Sequence, residues 1–242
     1  MKISVVQTRP VKGDIERNIS NHIKLIDLAV SHGAEMVIFP ELSLTGYEPE
    51  LANELAIDKE DNRLNDFQKI SDTKLVTIGI GIPTKSNIGT CISMVLFQTS
   101  KPRETYSKKY LHADEEAFFV RGESSVGLIG NNNNIAIAIC YELSVPLHSE
   151  NAFKCGAEIY IASAVKSVTA IDNAMQTLSD IAKKYSMTVL LSNCIGQSGG
   201  YACAGKTSVW NNKGSLLGQL NDTNEGIIII DTGSQEIIQR II

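Results

Sequence analysis

A thiol, a carboxylate and an ammonium stand at three separated points of this chain where each could take part in covalent chemistry. The thiol is Cys140, which closes the apolar run Ile135-Ala136-Ile137-Ala138-Ile139 and is followed by Tyr141-Glu142-Leu143. A nucleophile at the end of a core strand is held rigidly yet stays reachable, with fresh backbone N–H groups nearby to receive an oxyanion. Taken alone, Cys140 fits an ordinary buried core thiol better than a nucleophile. The carboxylate is Glu41, delivered by Met36-Val37-Ile38-Phe39-Pro40, where proline ends the strand and sets the direction in which Glu41 leaves it. The ammonium comes from Tyr106-Ser107-Lys108-Lys109-Tyr110-Leu111, ahead of a polar stretch with Asp114-Glu115-Glu116; a charge run of this kind reads by itself as solvated surface.

The three types suit one another. An unactivated thiol has a pKa of about 8.5, so work near neutrality needs a base or a positive charge beside it. Glu41 can supply the first, and Lys108 or Lys109 the second.

In this order, the segments resemble the three motifs of the nitrilase superfamily of carbon–nitrogen hydrolases. The glutamate motif is Phe39-Pro40-Glu41 with Leu44-Thr45-Gly46-Tyr47 after it. The lysine motif is Tyr106 to Leu111 and selects Lys108, leaving Lys109 as the neighbour. The cysteine motif is Ile139-Cys140-Tyr141-Glu142 with Pro146 beyond. The family's second glutamate falls best on Glu116, with Phe118, Phe119 and Gly122 matching the tail of that loop, and Glu115 is the alternative. Asn193, Gly196 and Gly205-Lys206-Thr207-Ser208 extend the likeness over essentially the whole chain. The resemblance implies a four-layer α-β-β-α sandwich and a homodimer or larger homo-oligomer. It also implies a reaction in which Glu41 takes the Cys140 proton, Lys108 and a backbone N–H near Tyr141 hold the oxyanion, and a thioester forms on Cys140. Ser163 and Asn193, at strand ends, are expected to position the substrate. No cofactor is implied.

The elements that must position these groups are legible. Residues 2–7 read as a strand, and Ile15, Ile19, Ile23, Ile26 and Val30 recur at helical spacing between an Asp14 N-cap and Gly33. A strand at 36–39 follows. A helix is expected at 63–71, with strands at 75–82 and 90–98 paired through 87–89. The run Asn131 to Asn134 reads as turn chemistry. Pro146 opens a short helix ending near Gly156, then come a strand at 158–162, a helix at 170–185, and strands at 188–191, 207–210, 216–219 and 226–230, with Asn212-Lys213-Gly214 as a hairpin turn. Alternating strands and helices place helices on sheet faces.

Composition narrows the partners. The 242 residues are 43% hydrophobic and 20% charged, which suits a single domain over 1–242. A net charge of −5 without a basic face excludes a nucleic-acid footprint. No apolar stretch approaches the roughly 20 residues that span a bilayer, and Met1-Lys2-Ile3-Ser4 enters a strand pattern instead of a signal peptide, so no membrane partner and a cytoplasmic location are expected. Five cysteines without paired spacing suit reduced thiols. His32, His112 and His148 sit in no protease-like signature, and no metal site is expected because ligand spacing is absent. The substrate indicated is a small linear amide. A nitrile or an N-carbamoyl compound is the runner-up, because Cys-Tyr-Glu followed by Ser144 mixes the amidase pattern (Cys-Tyr-Asp, then arginine) with the nitrilase one (Cys-Trp-Glu). A non-catalytic scaffold on the same fold is the alternative of another class.

Overall fold

The computed structural model describes residues 1–123, 127–130 and 134–242. The expected asparagine turn, apart from Asn134, falls outside them. Among the described residues, seven strands form one sheet: β1 (Lys2–Gln7), β2 (Met36–Ile38), β3 (Thr77–Ser86), β4 (Gly89–Phe97), β5 (Glu104–Ser107), β14 (Gly226–Asp231) and β15 (Ile237–Ile241), in the order β15-β14-β1-β2-β3-β4-β5. A second sheet holds β6 (Gly127–Ile129), β7 (Ile135–Ile139), β8 (Ile159–Ala164), β9 (Thr188–Asn193), β12 (Ser208–Trp210) and β13 (Leu216–Gln219), in the order β13-β12-β9-β8-β7-β6. β10 (Ile195–Ser198) and β11 (Tyr201–Ala204) form a separate hairpin. The helices are α1 (Ile15–Ser31), α2 (Ala52–Leu55), α3 (Asn65–Lys74), α4 (Pro146–Lys154) and α5 (Ile171–Tyr185).

Alternation along each strand sorts the chain into layers. Ile135, Ile137 and Ile139 of β7 point into a core shared with Ile3, Val5 and Ile38 of the other sheet, so that core lies between the sheets. Ala136 and Ala138 face the opposite way, into a cluster with Leu143, Leu178 and Ile181. Their small size lets α5 sit close on the sheet. On the other side, Ile15, Ile19 and Ile26 of α1 and Phe67 of α3 pack against Val6, Val37 and Ile78. Three cores separate four layers, α-β-β-α, as the resemblance implied. The helix caps follow the expected signals: the Asp14 side chain accepts from Arg17 N–H at 3.1 Å, and Gly33 takes φ +82° just past the end of α1.

Two buried hydroxyls tie the sheets together. Ser163 Oγ of β8 donates to Phe39 O at 2.9 Å, and Ser192 Oγ of β9 lies 2.7 Å from Val6 O and 3.0 Å from Ile38 O. These bonds satisfy groups at the strand ends that would otherwise be buried unpaired. They bring the carboxyl ends of β2 and β8 together, the position where α/β sheets present binding groups.

Candidate active site

The Glu41 turn is fixed from three sides. Phe39 N–H still donates to Gly79 O at 2.9 Å, Pro40 cannot continue the ladder, and Leu42 takes φ +48° before Leu44 N–H returns to Gly81 O at 3.0 Å. Position 81 must be glycine, since a Cβ there would lie 2.3 Å from Pro40 O. Behind the turn, Asn18 Nδ2 of α1 donates to Leu44 O at 2.9 Å. His22 Nε2 lies 2.9 Å from Ser43 Oγ, with its ring stacked 4.0 Å from that of Phe39. Burial pushes His22 down to about 3, which keeps it neutral.

Lys108 leaves the end of β5 with its N–H on Ile92 O and its carbonyl accepting from Gly122 N–H, both at 2.8 Å. Its fully buried ammonium donates to Glu41 Oε1 at 2.8 Å and to Glu115 Oε1 at 2.7 Å. Glu115 is pinned in turn by His112 N–H on its Oε2 at 2.8 Å and by the Tyr47 hydroxyl at 3.2 Å. The expectation for Glu116 is therefore corrected to Glu115. Residues 112–119 form tight turns, with Glu115 N–H on His112 O and Phe119 N–H on Glu115 O. Buried positions recur at every fourth residue, Leu111, Glu115 and Phe119, so Glu115 turns inward while Glu116 lies at the surface, paired with Arg121.

Cys140 takes φ +45°, a left-handed conformation that costs a residue with a Cβ about 1–2 kcal/mol. It begins a single 3₁₀ turn, Cys140–Ser144, directly after β7. Glu142 holds that strained turn in place. Its Oε2 accepts from Ile139 N–H and from the Tyr106 hydroxyl, both at 2.8 Å, and its Oε1 accepts from Lys109 N–H at 2.8 Å and Tyr110 N–H at 3.3 Å. One fully buried carboxylate thus joins the cysteine arm to the lysine arm. Sequence reasoning treated Glu142 only as a motif letter, although an acid two residues beyond the thiol was the signal available.

The charges set the resting state. Burial raises the Glu41 carboxyl; the Lys108 charge opposes this, Glu115 adds to it, and hydrogen bonds from Lys108 and Cys140 pull it down, leaving it above the ordinary carboxylate value. Burial alone would lower the Lys108 ammonium, but Glu41, Cys140 and Glu115 hold it well above its usual range. Burial and then Glu41 push the Cys140 thiol up to about 11, against the lowering effect of Lys166 and Lys108. The thiol therefore rests protonated at neutral pH. Its Sγ lies 3.7 Å from Val165 O. Glu41 Oε2 is buried with no hydrogen-bond partner.

Cys140 opens into a cavity of about 200 Å³ bordered by Tyr47, Glu115, Tyr141, Lys166 and Tyr201. Tyr141 lies on its wall, with its ring edge-on to His112 at 5.2 Å. Ser163 and Asn193 do not line this cavity, which corrects their expected contact with substrate. The Ser163 hydroxyl is spent on Phe39 O, and Asn193 is a buried brace, its Oδ1 accepting from Lys166 N–H at 2.8 Å and its Nδ2 donating to Gly205 O at 2.7 Å. Among the described residues, no group of three or more His, Cys, Asp or Glu could hold a metal ion, and no helix is long and apolar enough to cross a membrane.

With this geometry in hand, comparison with known proteins is decisive at the level of family. The family described as Carbon-nitrogen hydrolase matches residues 2–241. The chain belongs to the carbon–nitrogen hydrolase family. As an enzyme of this class, it is 25% identical over 248 residues to "Hydrolase in agr operon" of Staphylococcus aureus, covering 99% of this chain and 94% of the relative. It is 24% identical over 246 residues to a nitrilase of Pyrococcus abyssi, covering 96% and 90%. A glutamine-dependent NAD(+) synthetase of Thermotoga maritima is 23% identical over 246 residues, and this carbon–nitrogen hydrolase spans 98% of itself but 42% of that relative. Among solved structures, an amidase of Nesterenkonia sp. AN1, bound to butyramide as a cysteine-to-alanine mutant, superposes with a TM-score of 0.85 at 20% identity, covering 97% of this chain and 92% of the amidase. The fold is thus that of a nitrilase-superfamily amidase.

Proposed function

We propose that this carbon–nitrogen hydrolase is a thiol-dependent amidase acting on short linear amides. Its catalytic residues would be Cys140, Glu41, Lys108 and Glu115, with residues 1–242 working as one domain. The observation that carries this reading is the buried Glu41 carboxylate, with one oxygen on Lys108 and the other free beside the Cys140 thiol. An unpaired buried acceptor costs roughly 1–3 kcal/mol, and burying ions costs several kcal/mol each, so such an arrangement asks for a chemical reason.

Because the thiol rests protonated, its proton passes to Glu41 as sulfur attacks the amide carbonyl carbon. The carbonyl oxygen takes the negative charge and is held by the Lys108 ammonium and the Tyr141 N–H. As the tetrahedral adduct collapses, the C–N bond breaks, and Glu41 returns the proton to the leaving nitrogen, releasing ammonia. Water then attacks the thioester, losing a proton to Glu41. The C–S bond breaks, the acid departs, and the proton goes back to sulfur. Glu115 keeps Lys108 charged and aimed throughout.

The likeness to amidases supports amides, and the nitrilase relative keeps nitriles in the comparison. The test follows ammonia from butyramide, butyronitrile and an N-carbamoyl amine, with Cys140→Ala as control. The reading expects Cys140-dependent ammonia from the amide, and ammonia from the nitrile alone would replace it with nitrilase chemistry. No Cys140-dependent turnover of any compound would favour the non-catalytic scaffold. The resemblance also supports assembly as a homodimer or larger, which sedimentation should report as at least twice the chain mass. The five free thiols support a reducing compartment.

A further inference from the structure

The cavity wall carries a charge that the proposed chemistry leaves unused. Lys166 follows Val165, whose carbonyl faces the thiol at 3.7 Å, and its main chain is locked in place. Its N–H donates to Asn193 Oδ1 at 2.8 Å, and its carbonyl accepts from Ala204 N–H at 2.9 Å. Its side chain lines the same cavity as Cys140.

The neighbouring ionisable groups have partners of their own. Lys108 is held by Glu41 and Glu115, and Asp114 lies 2.5 Å from His112 Nδ1. Among the described residues, no carboxylate stands within ion-pair distance of the Lys166 ammonium. Burial and Glu41 raise the Cys140 thiol, and the Lys166 charge opposes them. A half-buried cation without a partner is costly, and an anion supplied by substrate would satisfy it.

Apart from its few charged and hydroxyl groups, most of the surface of this cavity is apolar. Tyr47, Asp114 and Tyr201 also border a second cavity, with Glu48 and Glu50 on its wall, where Lys12 is paired with Glu48 at 2.9 Å. Lys166 borders the cavity that holds Cys140 and not the second one, together with Ser167 and Ala170, the residue that precedes α5. The N-terminal end of that helix adds positive potential on the same side. A negative group on the substrate would therefore be drawn toward Lys166 and away from Glu48 and Glu50, which fixes its orientation.

We propose that Lys166 is a specificity-determining residue that binds a carboxylate on the substrate, so that the amides turned over are short and carry an acid group at the end remote from the amide. This rests on the Cys140 reading above, and the roughly 200 Å³ cavity limits the chain to a few carbons.

Succinamate and its neutral isostere succinamide separate the alternatives. Wild-type enzyme should prefer succinamate in kcat/KM by about tenfold or more. The ratio of the two should fall about tenfold in Lys166→Met, mainly through KM, and largely return in Lys166→Arg, as loss of a charge-assisted hydrogen bond requires. An unchanged ratio in Lys166→Met, or no preference in the wild type, would overturn the proposal. Calorimetry of succinamate with Cys140→Ala and with Cys140→Ala/Lys166→Met reads the same site without turnover. Binding at least tenfold weaker in the double variant supports Lys166 as the anion receptor even if the thiol chemistry fails. Equal binding, or none, refutes it while leaving the Cys140 reading to its own test.

Discussion

At the residue scale, the resting protonation state dictates how activity depends on pH. Glu41 must be ionised to accept the thiol proton, and burial raises its pKa. Activity is therefore lost as pH falls through that raised value, and the acid limb of kcat/KM should lie above the ordinary carboxylate range. A limb at the pKa of a free carboxylate would show that Glu41 is not the base. Removing a general base typically costs about 10²–10⁴-fold, so Glu41→Gln should lose that much. The two neighbouring acids should separate cleanly: Glu115→Gln should lower kcat/KM by about 10²-fold, whereas Glu116→Gln, at the surface with Arg121, should stay within about threefold. Equal effects would contradict the assignment. Glu41, Lys108 and Cys140 were legible because each follows an apolar strand in a distinctive motif. The choice between adjacent Glu115 and Glu116 was not, because it depends on how a turn points successive side chains, which composition does not encode.

At the element scale, the site is a junction of three strand ends, and Glu142 is its tie. It accepts from both the Ile139 and Lys109 backbones, so it sets the spacing between nucleophile and ammonium. In Glu142→Gln, an amide nitrogen faces N–H donors, and unmet buried groups cost roughly 1–3 kcal/mol apiece. Denaturant unfolding should show a loss of about 2–4 kcal/mol, and kcat should fall more than KM rises, because attack geometry is disturbed while the cavity wall remains. A variant with wild-type stability and kcat would refute the tie. The long elements were readable from the sequence: α1 and α5 have helical periodicity and run within a residue or two of the expected bounds. The β10-β11 hairpin was missed because Gly196, Gly199 and Gly200 read as loop, although all three serve positive-φ positions within or between its strands. β15 was missed because its Ile237-Ile238 start and Gln239-Arg240 pair break period-two alternation at an exposed edge.

At the scale of the whole molecule, the four layers bury ionisable groups deep between and beneath the sheets. His22 and His148 are both neutral in the fold, lowered by burial from 6.5 to about 3 and about 4. Their folded pKa values lie below the unfolded one, so their contribution is fully present above pH 6.5 and is lost as pH falls, through about 4 for His148 and about 3 for His22. At pH 5 each should already have cost about 2 kcal/mol, on the basis of about 1.4 kcal/mol per pH unit below the unfolded pKa. Chemical denaturation at pH 7 and pH 5 should reveal that loss, and a pH-independent stability over this interval would show the histidines to be hydrated. The layered architecture was implied by motif resemblance and strand-helix alternation; the inter-sheet serine bonds were not, since hydroxyl partners appear only when two distant strands meet.

The central claim is that Cys140 carries the acyl group. It is tested most directly by acid-quenching the enzyme within its first turnovers on butyramide and weighing the intact chain. The account predicts a population heavier by one butyryl group, located on Cys140, decaying as ammonia and butyrate appear, and absent from Cys140→Ala. Ammonia released at the wild-type rate by Cys140→Ala, or a butyryl group found on any other residue, would contradict it.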